Sequence, residues 1–429
     1  MTVSRRGMIA SGLSATACLA ASVPAARAAT PGCQAAAMVR TGFERLRENG
    51  YRMLGGGRVG VIANPTSVDH AQRHIVDVMH ADRAVQLRAV FGPEHGFRGS
   101  AQAGHSEPRT IDLRTGLPVY DIYAAGPAAM DAALREADVD IVVFDIQDVG
   151  ARFYTYIWTL FDAMASAARL NKRFMVLDRP NPITGRDCDG PLLSPRFASF
   201  VGRQPIPIVH GMTVGELAGL FNAVFLPHPD VAGRRVELEV VTMTGWKRDL
   251  FQDQTDLPWV PPSPNMPTLD TAIAYPGTCL FEGTSLSVGR GTTSPFLLLG
   301  GPTIDGPRWR AAIEAAQLPG VLLRDAFFTP MFSVDAGALS QGVQLVIGDR
   351  NRFQPLRTAI EMLRTARGAG AGMLWPDGGA KFDRLAGQDL LRRAIAAGTP
   401  TDDIIASWSP DLSRFRALRR EFLLYGRTP

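Results

Sequence analysis

Lysine is almost missing from this chain. Of 45 basic residues only Lys172, Lys247 and Lys381 are lysines, and the arginines are interspersed with 41 acids for a net charge of +4. No block of like charge and no basic stretch interleaved with aromatics occurs, so nothing points to nucleic acid as a partner. Arginine's planar fork suits carboxylate recognition instead. Cysteine is scarce too: Cys18, Cys33, Cys188 and Cys279 include no C-x-x-C pair, which excludes a zinc ribbon or a dithiol redox site. Cys188 and Cys279 could still pair in an oxidising compartment. Beyond the N-terminus no apolar run is long enough to span a membrane. There is no G-x-S-x-G elbow, no H-E-x-x-H and no Walker A loop. Serine hydrolysis would need an unrecognised nucleophile such as Ser263, Ser285 or Ser287, with His210 as base. Gly55, Gly57 and Gly60 spell G-x-G-x-x-G, but they precede a strand rather than follow one, so no dinucleotide site is expected.

The N-terminus carries a targeting pattern. Arg5 and Arg6 form a twin-arginine pair, a small apolar run continues through Val23, and Ala26-Arg27-Ala28 offers a cleavage site. Residues 1–28 therefore read as an export signal, which puts the mature protein in the periplasm or outside the cell with no stable membrane insertion. The remaining length is enough for two domains. The proline-rich WVPPSPNMP, starting at Trp259, marks the change between them. We expect a catalytic domain over 36–262 and a smaller α+β domain over 263–429.

Strands are expected at Arg58–Ala63, Val85–Phe91, Asp140–Phe144, Arg173–Leu177, Ile206–Val209 and Arg235–Val241. A helix over Arg152–Arg169 should bury Ile157, Leu160, Phe161, Met164 and Ala168. This alternation, with nearly continuous apolar strands, predicts an α/β fold. Its mostly parallel, Rossmann-like sheet would have helices on both faces. His70 and His74 at i, i+4 read as a solvated helix face rather than a metal pair. Asn64, Glu94, Asp145, Asp178 and His210 all fall at the carboxyl ends of strands, the edge where open parallel sheets bind ligands. Glu94 lies in FGPEHGFRG, a turn stiffened by Gly92, Pro93 and Gly96.

Glu94, Asp145, Asp148, Asp178 and Glu282 make the candidate site rich in carboxylates. Glycosidic acid chemistry needs one carboxyl protonated and a second ionised nearby, and crowding or burial raises one of them. Magnesium or calcium would use the same residue types, so the constellation alone does not separate the two.

The segments GVIANPTS, FGPEHGFRG, TGLPVY, FDIQDVGARFYTY, LDRPNPITG, HGMTVGELA, WVPPSPNMPT, YPGTCLFEGT and SVGRGT resemble, in order, the NamZ-type exo-β-N-acetylmuramidases. The resemblance implies a Rossmann-like catalytic domain with a smaller C-terminal one. It also implies release of non-reducing terminal N-acetylmuramic acid from peptidoglycan fragments, without metal or cofactor. Glu94 then corresponds to the catalytic acid/base. Asp148 is the first choice for its partner, with capping of the next helix as the competing role; the substrate's own acetamido group is another nucleophile. The substrate's lactyl carboxylate would suit Arg152 or Arg290, for each of which an internal ion pair is the alternative. His95 and His210 would bind sugar hydroxyls or position Glu94. Asn64, Tyr154, Tyr156, Asn181, Asp145, Asp178 and Glu282 complete the expected substrate contacts. A non-catalytic sugar-binding protein and a cell-wall esterase are the alternatives.

Overall fold

Alternation along the central strands generates two apolar layers, one on each face of a sheet. The computed structural model describes residues 38–372 and 374–426; the expected export signal, Cys18 and Cys33 lie outside the described residues. In chain order the first strands are β1 (Arg58–Ala63), β2 (Gln86–Gly92), β3 (Thr110–Ile111), β4 (Pro118–Asp121), β5 (Ile141–Asp145) and β6 (Arg173–Leu177). They are followed by β7 (Asp189–Leu192), β8 (Pro207–Val209) and β9 (Glu237–Val241). One seven-stranded sheet runs β3-β4-β2-β1-β5-β6-β9. Every neighbouring pair in it is parallel except the β3–β4 edge.

Val59, Val61, Ile141, Val143, Met175 and Leu177 point to one face, against Phe43, Leu46, Ile75, Val76 and Met79. Ile62, Val142, Phe144, Phe174 and Val176 point to the other, against the helix Tyr156–Arg169. That helix buries the expected Ile157, Leu160, Phe161, Met164 and Ala168. Full burial of each such side chain contributes about 1.5–3 kcal/mol, so both cores hold the sheet's centre rigid under the site. Gly60 is required where β1 passes β2, because a Cβ there would lie 2.6 Å from the Phe91 ring.

The winding direction reverses at β1. The chain goes outward through β2 and β4 on one side, then returns to lay β5, β6 and β9 on the other. A crevice opens at the carboxyl ends of strands that diverge in this way.

Two expectations are corrected. The strand before His210 is not in the main sheet: β8 pairs antiparallel with β7 in a separate two-stranded ribbon. The chain folds back so that Val209 pairs with Asp189 and Pro207 with Leu192, an antiparallel register that leaves this short strand outside the parallel ladder. The ribbon still reaches the main sheet's edge, because Val209 bridges to Ala151. The histidine pair is not a solvated face either. The helix begins only at Ile75, and His74 caps it by accepting from the Val76 amide at 3.2 Å. His74 Nε2 meets the Asn64 carbonyl at 3.0 Å. His70 joins Glu44 and Asp256 in an ion-pair cluster.

The C-terminal region holds a smaller antiparallel sheet of β10 (Leu298–Gly301), β11 (Val321–Phe328) and β12 (Ser340–Ile347), ordered β10-β12-β11. The helix Gly306–Glu314 packs on this sheet, Pro355–Ala366 packs on that helix, and Leu269–Thr278 packs on Pro355–Ala366. Its Trp309, Val343, Leu356 and Ile360 share one continuous core with Phe144 and Trp158 of the first region. Cys188 and Cys279 are both buried, and neither forms a disulfide among the described residues.

Candidate active site

The acid of the Gly-Pro-Glu-His-Gly turn is held from two sides. One Glu94 oxygen accepts from the Gly104 amide at 2.8 Å, the other from the Thr155 hydroxyl at 2.7 Å. The turn is wound through left-handed backbone at His95 (φ 71°) and Gly96 (φ 81°). For His95 that conformation costs about 1 kcal/mol or more and persists only where the surroundings enforce it. Here the His95 amide donates to the His105 carbonyl at 2.9 Å, and its Nδ1 meets the Ala101 carbonyl at 3.1 Å. The imidazole thus braces the 93–105 loop around Glu94. A side chain at Gly96 would run into Glu107.

Asp148 follows β5. Its Oδ2 accepts from the Gly150 amide at 2.7 Å, an Asx turn, while Oδ1 is buried with no hydrogen-bond partner among the described residues. The Asx turn, rather than the next helix, is what this carboxylate caps. His210 Nε2 lies 3.7 Å from Asp148 Oδ2 and is equally unpartnered. The ring's other nitrogen accepts from the Met212 amide at 3.2 Å, which leaves the Nε2 proton directed at Asp148.

Tyr154 and Tyr156 join the two carboxylates. Burial, then the charges around them, Glu94 and Asp148 included, push both phenols above their ordinary range. The rings pack edge to face at 5.2 Å. The Tyr156 hydroxyl donates to the Pro262 carbonyl at 2.6 Å, and the Tyr154 hydroxyl has no well-aligned partner. Asn64 uses its side-chain oxygen on Thr66 and leaves Nδ2 buried and unpartnered. Asn265, from the proline-rich stretch, also leaves its Nδ2 buried and unpartnered. Buried polar atoms without partners are rare because each costs about 1–3 kcal/mol. Asn64, Asp148, Tyr154 and His210 around one crevice form a set that a polyhydroxylated ligand would satisfy.

Two family models match the chain in succession: the N-terminal part of the exo-β-N-acetylmuramidase NamZ matches residues 59–270, and its C-terminal part matches 273–425. The chain belongs to the NamZ family. It is 44% identical over 392 residues to the peptidoglycan β-N-acetylmuramidase NamZ of Bacillus subtilis (strain 168), covering 90% of this chain and 91% of that one. Crystal structures of two DUF1343 family proteins from Bacteroides fragilis NCTC 9343 superpose with TM-scores of 0.81 and 0.73 at 33% and 31% identity. They cover 90% and 91% of this chain and 99% of each of theirs.

Several residues expected to touch substrate in this NamZ-family chain are committed elsewhere. Arg152 is wholly buried and forms no ion pair among the described residues; its guanidinium donates to the carbonyls of Pro191, Ile206 and Leu385 at 2.9 Å each. It ties the β7–β8 ribbon to the C-terminal helices and has no free fork for a carboxylate. Asp145 is taken by Arg179 through both oxygens. Asp178 accepts from Thr213, Tyr425 and the Gly215 amide, and so fastens the C-terminus to the sheet. Asn181 donates to the Met212 carbonyl at 3.1 Å and supports the His210 loop from behind. Glu282 and Arg290 form an ion pair with each other, although Arg290 Nη1 is left unpartnered. That pair reaches the cleft only through aromatics: Arg290 lies over Phe296, which packs on Tyr275, which packs on Tyr154.

Thr155 was missed. Its signal is its place between two tyrosines at the first turn of the helix. A threonine at a helix start ordinarily caps it, but this hydroxyl makes no cap bond and holds Glu94 instead. The helix expected from Arg152 begins at Tyr156, which places Thr155 at the N-cap instead of inside the helix.

Proposed function

We propose that the chain is an exo-acting glycoside hydrolase that removes β-linked N-acetylmuramic acid from the non-reducing end of peptidoglycan fragments, in cell-wall turnover. The observation that carries this is the 44% identity to a peptidoglycan β-N-acetylmuramidase across nine-tenths of the chain. The crevice residues supply chemistry to match. Glu94 delivers a proton to the glycosidic oxygen, and the bond to the anomeric carbon breaks with its electron pair on that oxygen. Asp148, aligned by His210, faces the positive charge that develops on the sugar. Water then supplies the new hydroxyl, and its remaining proton restores the acid of the pair. Asn64 and Tyr154 offer their unpartnered groups to the sugar's hydroxyl and acetamido substituents.

We read the first region, 36–262, as the catalytic part and 263–429 as an auxiliary part that closes the cleft. The sheet is Rossmann-like on this reading. Its six parallel strands, numbered by appearance, follow the order 3-2-1-4-5-6 of doubly wound dinucleotide folds, with a sugar in place of the nucleotide. Residues 1–28 are read as a twin-arginine export signal, which brings the enzyme to its polymer outside the cytoplasm.

The test is release of 4-nitrophenol from its N-acetyl-β-muraminide and from its N-acetyl-β-glucosaminide. Turnover of the muraminide with little of the glucosaminide is expected. Equal turnover of both would remove the lactyl group from the account, and a protein that binds muraminide without turnover would be the sugar-binding alternative.

A further inference from the structure

Thr155, Asp162 and Arg169 recur every seven residues on the helix that starts at the site, so they share one stripe leading away from Glu94. At 1.5 Å per residue, Asp162 lies about 10 Å from Thr155 along the axis and Arg169 about 20 Å. A groove of about 310 Å³ lies along this stripe, lined by Phe161, Asp162, Arg169, Phe200, Arg203 and Gln204 among others. Tyr123 packs edge-on against the groove's Phe200 with centroids 5.5 Å apart. The Tyr123 hydroxyl is pushed up to about 12 by burial and then by the charge of Glu94. Arg203 pairs with Asp162 at 2.6 Å and lies over the Phe200 ring at 5.5 Å. Ser199 Oγ and Arg203 Nε are buried without a partner among the described residues.

We propose that this groove is an extended aglycone subsite, which takes the N-acetylhexosamine units on the leaving side of the scissile bond. The assignment rests on the muramidase reading and deepens it. A pyranose presents a C–H face that lies against an aromatic ring, and hydroxyl and acetamido groups that need donors and acceptors together. Phe200 offers the ring; Arg203, Gln204, Ser199 and Asp162 offer both kinds of polar partner. An enzyme that removes one terminal sugar encloses that sugar and lets the remaining chain run out along an open groove. A groove leading away from the acid along a rigid helix has that form.

Phe200→Ala and Arg203→Gln separate this subsite from the catalytic step. Each variant is compared with wild type on 4-nitrophenyl N-acetyl-β-muraminide and on a tetrasaccharide of alternating N-acetylmuramic acid and N-acetylglucosamine. The expected result is a fall in kcat/KM of about tenfold on the tetrasaccharide, the size of one lost contact, with the aryl glycoside unchanged and Phe200→Tyr close to wild type. Equal losses on both substrates, or no loss on either, would overturn the subsite. Wild-type protein inert on both would overturn the muramidase reading and the subsite with it.

Discussion

Replacing Glu94 with glutamine isolates the proton from everything else that this side chain does. Glutamine has the same shape, and its carbonyl oxygen can still accept from the Gly104 amide. The Thr155 hydroxyl, which now donates to the carboxylate, can rotate and accept from the new amide. Both supports survive, so the structural cost should stay below about 1 kcal/mol and Tm should hardly move. What is lost is the general acid, which contributes about 10²–10⁴-fold. The loss must depend on the leaving group. A sugar departing from N-acetylmuramic acid needs a proton on its oxygen, whereas 4-nitrophenolate leaves without one. Steady-state kinetics of Glu94→Gln should therefore show kcat lower by about 10²–10⁴-fold on a muramyl disaccharide and a much smaller loss on the aryl muraminide. Equal losses on the two substrates would make Glu94 the group that attacks the sugar or steadies its charge. No loss on either would remove it from catalysis.

Arg152→Met should destabilise the protein by about 2–4 kcal/mol in urea unfolding, because three buried carbonyls lose their donor, while the specific activity of folded protein is kept; a loss of activity at unchanged stability would return Arg152 to the substrate. His74 gives a pH dependence with a defined sign. Burial lowers it to about 4 from its ordinary 6.5, so between those values the unfolded chain binds the extra proton. Its contribution is complete above pH 6.5 and is lost as the pH falls through about 4; His74→Asn should flatten that limb of the stability curve, and an unaltered limb would contradict the assignment. Replacing Arg5 and Arg6 by lysine should leave the protein in the cytoplasm on cell fractionation, and undiminished export would refute the twin-arginine reading.

The parts of the fold governed by local pattern were legible. β1 and β6 begin and end at the expected residues, since each is an apolar run bounded by polar or turn residues. Thr213 and Glu216, in the T-x-x-E spacing that follows His210-Gly211-Met212, form a capping box. What sequence could not separate was which acid faces the crevice and which faces a cation from elsewhere. Asp145, Asp148 and Asp178 all sit at strand ends. Only the fold reveals that Arg179, one residue beyond Asp178, reaches across to Asp145, or that Tyr425 returns from the far end of the chain to Asp178. The same holds for Arg152, whose partners lie 39, 54 and 233 residues away. A three-residue strand such as β8 carries no period long enough to say which sheet it joins.

The central claim is that one sugar of one kind is removed from one end. Wild-type protein incubated with a glycan fragment bearing N-acetylmuramic acid at its non-reducing end should release free N-acetylmuramic acid as the first product, leaving a chain that begins with N-acetylglucosamine, as read by mass spectrometry over time. First release of N-acetylglucosamine, or of internal fragments, would contradict it.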